Sequence, residues 1–263
     1  MLSSAKRLAW GSSSIVVYRG LLTPVRCFPA FSMTFFYILL LISPLSLDLL
    51  NPLLILIGLT VAASAYAWSN EGLMDAWIMR PYIVARDQSQ LYRFLTSGFL
   101  HADWGHLLFN MIAFYSFGNI VLDVLCNGVG DLDGFGAAGG VGRFLLLYLG
   151  GIIVSDIPTY FRHRDDREYA SLGASGGVAS VLFAGVMFAP LNKIYLMFIP
   201  IGIPGFVFGF LYLAYSYYMG RRQGDNINHD AHFYGALYGV VLSVLFMPGV
   251  VPYFLEQVRN YSI

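Results

Sequence analysis

Apolar runs of the length that a bilayer demands recur along this chain, and they limit its fold more than any other feature. A hydrocarbon core takes about 20 predominantly apolar residues per helical span. Runs of this kind lie at 52–68, 104–125, 144–161, 172–190, 203–219 and 231–251. A further run at 28–47 is interrupted by Pro44 and ends at Asp48; it reads as an extra span, a signal-like segment or an interfacial stretch. Only 11% of the 263 residues are charged and 57% are hydrophobic, whereas soluble domains carry roughly 25% charged residues. So few charges do not cover a water-facing surface. The expected fold class is all-α, a polytopic membrane helix bundle. Its six-helix domain spans 51–253, with an N-terminal extension at 1–50 and a short tail at 254–263.

The remaining composition excludes several classes of function. A formal net charge of +0 gives no electrostatic basis for a nucleic-acid partner. Cys27 and Cys126 stand far apart in apolar surroundings and supply neither a disulfide framework nor metal-ligand spacing. The first 47 residues hold Lys6, Arg7, Arg19 and Arg26 and no acid, a pattern shared by targeting segments and by poorly ordered basic extensions. Lys and Arg fall on both sides of the six-span map, so the positive-inside rule sets no orientation. The expected location is an integral, multi-pass position in a bacterial inner membrane or, second, in a mitochondrial inner membrane. Polar connections are expected at 69–93, 127–142, 163–168 and 220–228.

Ionisable and polar side chains inside apolar spans are costly and are functional by default. Three places break the pattern. The first is the stretch from His101 to Asn110 at the start of the second run, where His106 and Asn110 are four apart and share a helix face. Two side-chain donors on one face can stabilise a developing oxyanion, or can hold neighbouring helices together. The second is Ser171-Leu-Gly173-Ala-Ser175-Gly176-Gly177 at the start of the fourth run. Glycines around a serine at a helix N-terminus permit close backbone approach and leave amides free. Gly173 and Gly177 also have Gly-xxx-Gly spacing suited to helix contact. The match to the G-x-S-x-G elbow is set aside, because that elbow needs a preceding strand in a soluble sheet. The third is His229-Asp230-Ala231-His232 at the start of the sixth run. A neutral His232 can accept a serine proton, and His229 fits a capping or interfacial role. Asp230 adjoins the histidines, but neighbours in a helix do not face each other. A metal site is the competing constellation, since His101, His106, His229 and His232 supply four imidazoles. The H-E-x-x-H signature is absent, and no metal or other cofactor is expected.

Taken together, H-x-x-x-x-H-x-x-x-N (His101, His106, Asn110), G-x-S-G (Gly173, Ser175, Gly176) and A-H-x-x-G (Ala231, His232, Gly235) resemble the rhomboid family of intramembrane proteases over about residues 52–249. Tyr92-Arg93 is similar to the family's Trp-Arg pair. The resemblance implies a rhomboid-like six-transmembrane core and a serine endopeptidase with a Ser175–His232 dyad. Its oxyanion would be held by the Ser175 amide, His106 and Asn110. It further implies that Gly173 and Gly176 give the substrate backbone room, that His101 supports the loop and water network, and that Arg93 anchors a long first loop. The implied partners are transmembrane protein substrates and the lipid bilayer. The alternative is a catalytically silent relative that binds membrane clients; a small transporter is disfavoured because the polar residues gather toward one face. One departure stands out. Many bacterial members carry an aromatic residue four positions after the serine, stacked on the histidine; here that position is Ala179, and the imidazole is expected to be held by another ring, such as Phe233 or Tyr234, or to be held more loosely.

Overall fold

A computed structural model describes residues 51–195, 201–222 and 227–262. The N-terminal extension and the 28–47 run lie outside the described residues, as does part of the 220–228 connection. The chain enters α1 (Pro52–Ala67) through an Asn51 cap, whose side chain accepts from the Leu53 amide, with Pro52 in the first helical turn. Such a proline gives up only an amide that would be unpaired anyway. The connection after α1 folds into α2 (Glu71–Trp77), α3 (Pro81–Val84), a 3-10 turn (Gln88–Tyr92), α4 (Arg93–Thr96) and a second 3-10 turn (Ser97–Phe99). Then come α5 (Trp104–Asn127), a hairpin of β1 (Gly128–Val129) and β2 (Leu132–Asp133), and α6 (Gly136–His163). After α7 (Ser175–Phe188), a second antiparallel hairpin pairs β3 (Lys193–Tyr195) with β4 (Gly202–Pro204). The chain finishes with α8 (Gly205–Arg222), α9 (His229–Phe246) and α10 (Val250–Arg259).

Among the described residues, the six longer helices α1 and α5–α9 coincide with the six expected runs, but their lengths are unequal. By length and composition α5 and α6 each suffice to cross a bilayer, and α9 with α10 does so as a pair bent by 110°. At 14 residues, α7 is about 21 Å long, short of the roughly 30 Å hydrocarbon core. Around it stand α5, α6, α8 and α9, and 12 of its 14 residues are buried. Helix α10 begins inside the expected domain and runs on into the expected tail.

Lipid tails are as apolar as leucine, so helices in a membrane gain little from burying apolar surface and associate through close packing and hydrogen bonds. The contact between α7 and α9 shows this. A Cβ on Gly235 would fall on the Gly176 backbone, and one on Gly239 would fall on Ser180. The Ser180 hydroxyl donates to the Leu147 carbonyl of α6 at 2.7 Å, while Thr60 and Ser243 donate back to carbonyls one turn earlier in their own helices. These three hydroxyls are thereby satisfied within the protein rather than by water. Phe114 of α5 stacks on Tyr148 of α6 at 4.0 Å between ring centroids, which fills the centre of the main core cluster.

The Gly-xxx-Gly face expected from Gly173 and Gly177 does not form, because Gly173 precedes the helix. Its φ of 125° is a conformation that residues with a Cβ rarely adopt. The glycines that bring α7 and α9 together are Gly235 and Gly239 of α9, set against the backbone at Gly176 and Ser180.

Candidate active site

Ser175 is the first residue of α7, which starts three residues later than the apolar run. The four residues before it are extended or turned, not helical. Ser171 exchanges two 3.0 Å backbone hydrogen bonds with Met79 of the first connection, and the Gly173 amide donates to the Ser97 carbonyl at 3.0 Å. This strip is pinned on both sides before the chain turns at Gly173 into the helix. Ser175 itself is half-buried, and its amide belongs to the first turn, where no intrahelical acceptor exists.

His232 occupies the first turn of α9, which is capped by the Asn228 side chain accepting from the Ala231 amide at 3.1 Å. Asn228 also donates to Thr159 of α6 at 3.1 Å. With Gly235 seated on Gly176, the two helix starts lie side by side. Depth follows from α6, whose Ser155 packs where a Cβ of Gly176 would be. That helix continues from Ser155 to His163, about 12 Å further along its axis. The start of α7 is therefore sunk below the end of its neighbour.

His106 and Asn110 reach the same end from α5. The His106 ring lies against Gly173, with Nε2 2.9 Å from the position of an added Cβ. Asn110, only 8% exposed, uses one amide hydrogen on the His106 carbonyl at 3.1 Å, which leaves the other for an incoming acceptor. His101 is fully buried. Burial, with His106 as neighbour, pushes its pKa down to about 3, so the ring is neutral. Its Nε2 accepts from the Ala174 amide at 3.5 Å, which assigns the proton to Nδ1. That nitrogen donates to the Ser64 hydroxyl oxygen at 3.0 Å, and the Ser64 hydroxyl donates in turn to the Phe99 carbonyl at 2.9 Å. His101 thus braces the strip leading into Ser175.

A small cavity opens beside Ser175, with room of about 10 Å³ for water centres, enough for about one water. Ser175, Ser155, Asp156, Ser171 and Asn228 provide its polar lining. The sequence reading missed Asp156, although a lone acid inside the 144–161 run is the same signal that singled out His232. It is 8% exposed and accepts from the Ser97 hydroxyl at 3.4 Å. Gly176 is the glycine expected to make room for substrate; its missing Cβ admits Ser155 of α6, while the missing Cβ of Gly235 admits the Gly176 backbone.

Arg93 is buried and donates to the carbonyls of Asp75 (2.6 Å) and Ile78 (2.8 Å) and to the Gln90 side chain (2.8 Å). It gathers the first connection around one guanidinium. Asp230 forms an ion pair with Arg162 of α6, so its carboxylate is engaged with a neighbouring helix end. The imidazoles form two separate ring pairs, His101–His106 at 4.9 Å and His229–His232 at 5.8 Å. Among the described residues, no group of three or more His, Cys, Asp or Glu side chains is placed to hold a metal ion. Neither ring expected over His232 is found on it. Phe233 packs on Tyr217 and Tyr234 is exposed, because successive helical residues splay apart. Tyr212 of α8 is the ring stacked on the imidazole, at 6.1 Å and 21°.

A polytopic helical bundle with a serine at the start of a short central helix, and histidines on two neighbouring helices at the same end, defines a class of integral membrane protein. The chain belongs to the rhomboid family: residues 88–249 match the Rhomboid domain. It is 26% identical over 208 residues to "RHOMBOID-like protein 12, mitochondrial" of Arabidopsis thaliana, a match covering 69% of this chain and 55% of that protein. It is also 31% identical over 154 residues to "Putative rhomboid protease YdcA" of Bacillus subtilis (strain 168), covering 59% and 66%. The matched region is thus between about half and two thirds of the length of these relatives.

Proposed function

We propose that the chain is an intramembrane serine endopeptidase that cleaves transmembrane protein substrates through Ser175 and His232. One observation carries this reading: the seating of Gly235 on Gly176, which brings the first turns bearing the two residues together. Ser175 Oγ attacks the scissile carbonyl and His232 takes its proton. The oxyanion receives the Ser175 amide with the His106 and Asn110 side chains. His232 then protonates the departing amine. Water from the polar cavity attacks the resulting ester, giving its proton to His232, and Ser175 recovers its hydrogen as the carboxylic acid leaves. Lipid excludes water, so the sunken cavity beside the serine is the feature that makes hydrolysis at this depth workable. A substrate helix hides its carbonyls in hydrogen bonds, so cleavage favours segments with helix-breaking residues, which unwind at low cost.

One relative is named rhomboid-like rather than protease, which favours as a second reading a silent protein that binds membrane clients. A fluorophosphonate probe on detergent-solubilised full chain separates the two. Labelling of wild type that disappears in Ser175→Ala, together with loss of transmembrane-substrate cleavage in a folded His232→Ala, is the expected result. Folded wild type that takes no label and cleaves nothing favours the silent binder.

A further inference from the structure

Resting on the protease reading above, we propose that Tyr212 of α8 is the positioning residue for the His232 imidazole, entering space that α7 leaves open at Ala179. A base that shuttles a proton between a hydroxyl and a leaving group must keep one nitrogen aimed through both transfers, and misplacement by about 1 Å can cost 10²-fold in rate. An imidazole turns about two bonds, and flat packing against its face is what limits the second rotation. Tyr212 supplies that face: its ring centroid lies 6.1 Å from that of His232 with the planes within 21°, an offset stack within the range of favourable aromatic pairs. His229 meets the same imidazole edge-on at 5.8 Å and 75°. The face and the edge of the base are therefore packed by different helices.

The Tyr212 ring is itself held. It lies 5.5 Å from Phe183 of α7 and 5.8 Å from Phe208 of α8, and it packs on the cluster that contains Ala179, Leu182, Val186 and Ala236. Ala179 is one turn after Ser175 on the same helix. Ala179 and Tyr212 belong to the same packed cluster; a methyl group at 179 offers His232 no ring face, and a ring introduced there would compete with Tyr212 for that cluster. The two positions are alternative sources of one ring. A consequence follows from where α8 stands. Its buried residues are Gly205, Gly209, Ser216 and Gly220, so the support of the base is carried by a peripheral helix rather than by the packed helix of the nucleophile. Displacing α8 therefore loosens His232 without disturbing Ser175.

The test compares Tyr212→Phe, Tyr212→Leu, Tyr212→Ala and the double variant Tyr212→Ala/Ala179→Phe in the full chain. Each is assayed for kcat and KM on a model transmembrane substrate and for the rate of Ser175 labelling by fluorophosphonate. Tyr212→Phe keeps the ring and should stay within about 3-fold of wild type. Tyr212→Leu, which keeps bulk, and Tyr212→Ala should lower kcat and labelling rate by about 10- to 100-fold with KM within about 2-fold. Adding Ala179→Phe should recover at least about 5-fold of the Tyr212→Ala loss. Should Tyr212→Ala not fold, Tyr212→Leu decides. Wild-type rates in Tyr212→Leu overturn the assignment, as does Tyr212→Phe falling as far as Tyr212→Leu. A double variant no faster than Tyr212→Ala overturns the exchange with Ala179. Absence of Ser175 labelling in wild type is a separate outcome that removes the protease reading itself.

Discussion

Two neighbouring helices of this protein solve the same problem in opposite ways. Helix α7, which carries Ser175, has 12 of its 14 residues buried, with glycine, alanine and valine packed against helices on all sides. Helix α8 fully buries only glycines and a serine; it lays Phe208, Tyr212 and Leu213 on the bundle and turns other large side chains outward, with Phe210 73% exposed and Leu211 and Tyr215 beside it. In water such an exterior would be a defect; against lipid it costs nothing, because the tails are as apolar as the side chains. Small residues admit close backbone contact, and large ones face the solvent that suits them. The nucleophile is thus fixed by protein, whereas α8 is held by protein on a narrow strip and by lipid elsewhere.

This contrast can be broken or sharpened by substitution. The largest effect is expected at the centre. Gly235→Leu drives a side chain into the Gly176 backbone, where no flexible neighbour can yield, and should destabilise the bundle by about 1–3 kcal/mol with loss of probe labelling. An unaltered thermal midpoint in detergent would show that the α7–α9 contact has slack. Next comes Asn110→Ala, which removes one oxyanion donor and should lower kcat by about 10²-fold at unchanged melting temperature. Equal turnover would demote the side chain to a helix brace on His106.

A smaller effect concerns pH. Burial and His106 hold His101 down at about 3 in the folded protein, while an exposed histidine in the unfolded chain titrates near 6.5. The unfolded chain therefore binds the proton first. Stability is fully present above about pH 6.5 and is lost on acidification, by about 2 kcal/mol at pH 5. His101→Gln should flatten that part of the profile, measured as thermal midpoints at pH 7.5 and 5. A slope as steep as wild type would assign the acid sensitivity to other groups. The smallest effect belongs to the outer face of α8. Phe210→Leu should change stability by less than about 0.5 kcal/mol and leave cleavage unchanged; a marked loss would mean that protein rather than lipid covers this face.

Much of the bundle was legible beforehand. The runs at 52–68 and 104–125 became Pro52–Ala67 and Trp104–Asn127, because a bilayer imposes both length and apolarity on a span. Arg93, expected as the anchor of the first loop, donates to the Asp75 and Ile78 carbonyls within it. The start of α7 was read three residues early: an apolar pattern continues through Leu172 and Gly173, and only the positive φ of Gly173 ends the extended strip. Asp156 carried a readable signal that was passed over. Tyr212 carried none, since a tyrosine among many on an amphipathic-looking run does not declare which neighbour it will meet.

By itself, then, the order of residues determined the membrane as solvent, the positions of the longer helices among the described residues and the ends of those helices at which serine, histidines and asparagine lie. These depend on local length, polarity and spacing, which a linear chain contains in full. Only the tertiary structure decided that Gly235 rests on Gly176, that Asp230 is engaged with Arg162, that Asp156 lines the cavity and that the ring over His232 comes from α8. Those outcomes are set by which helix faces meet, and close packing between small residues selects that pairing through shape, a property no single segment holds alone.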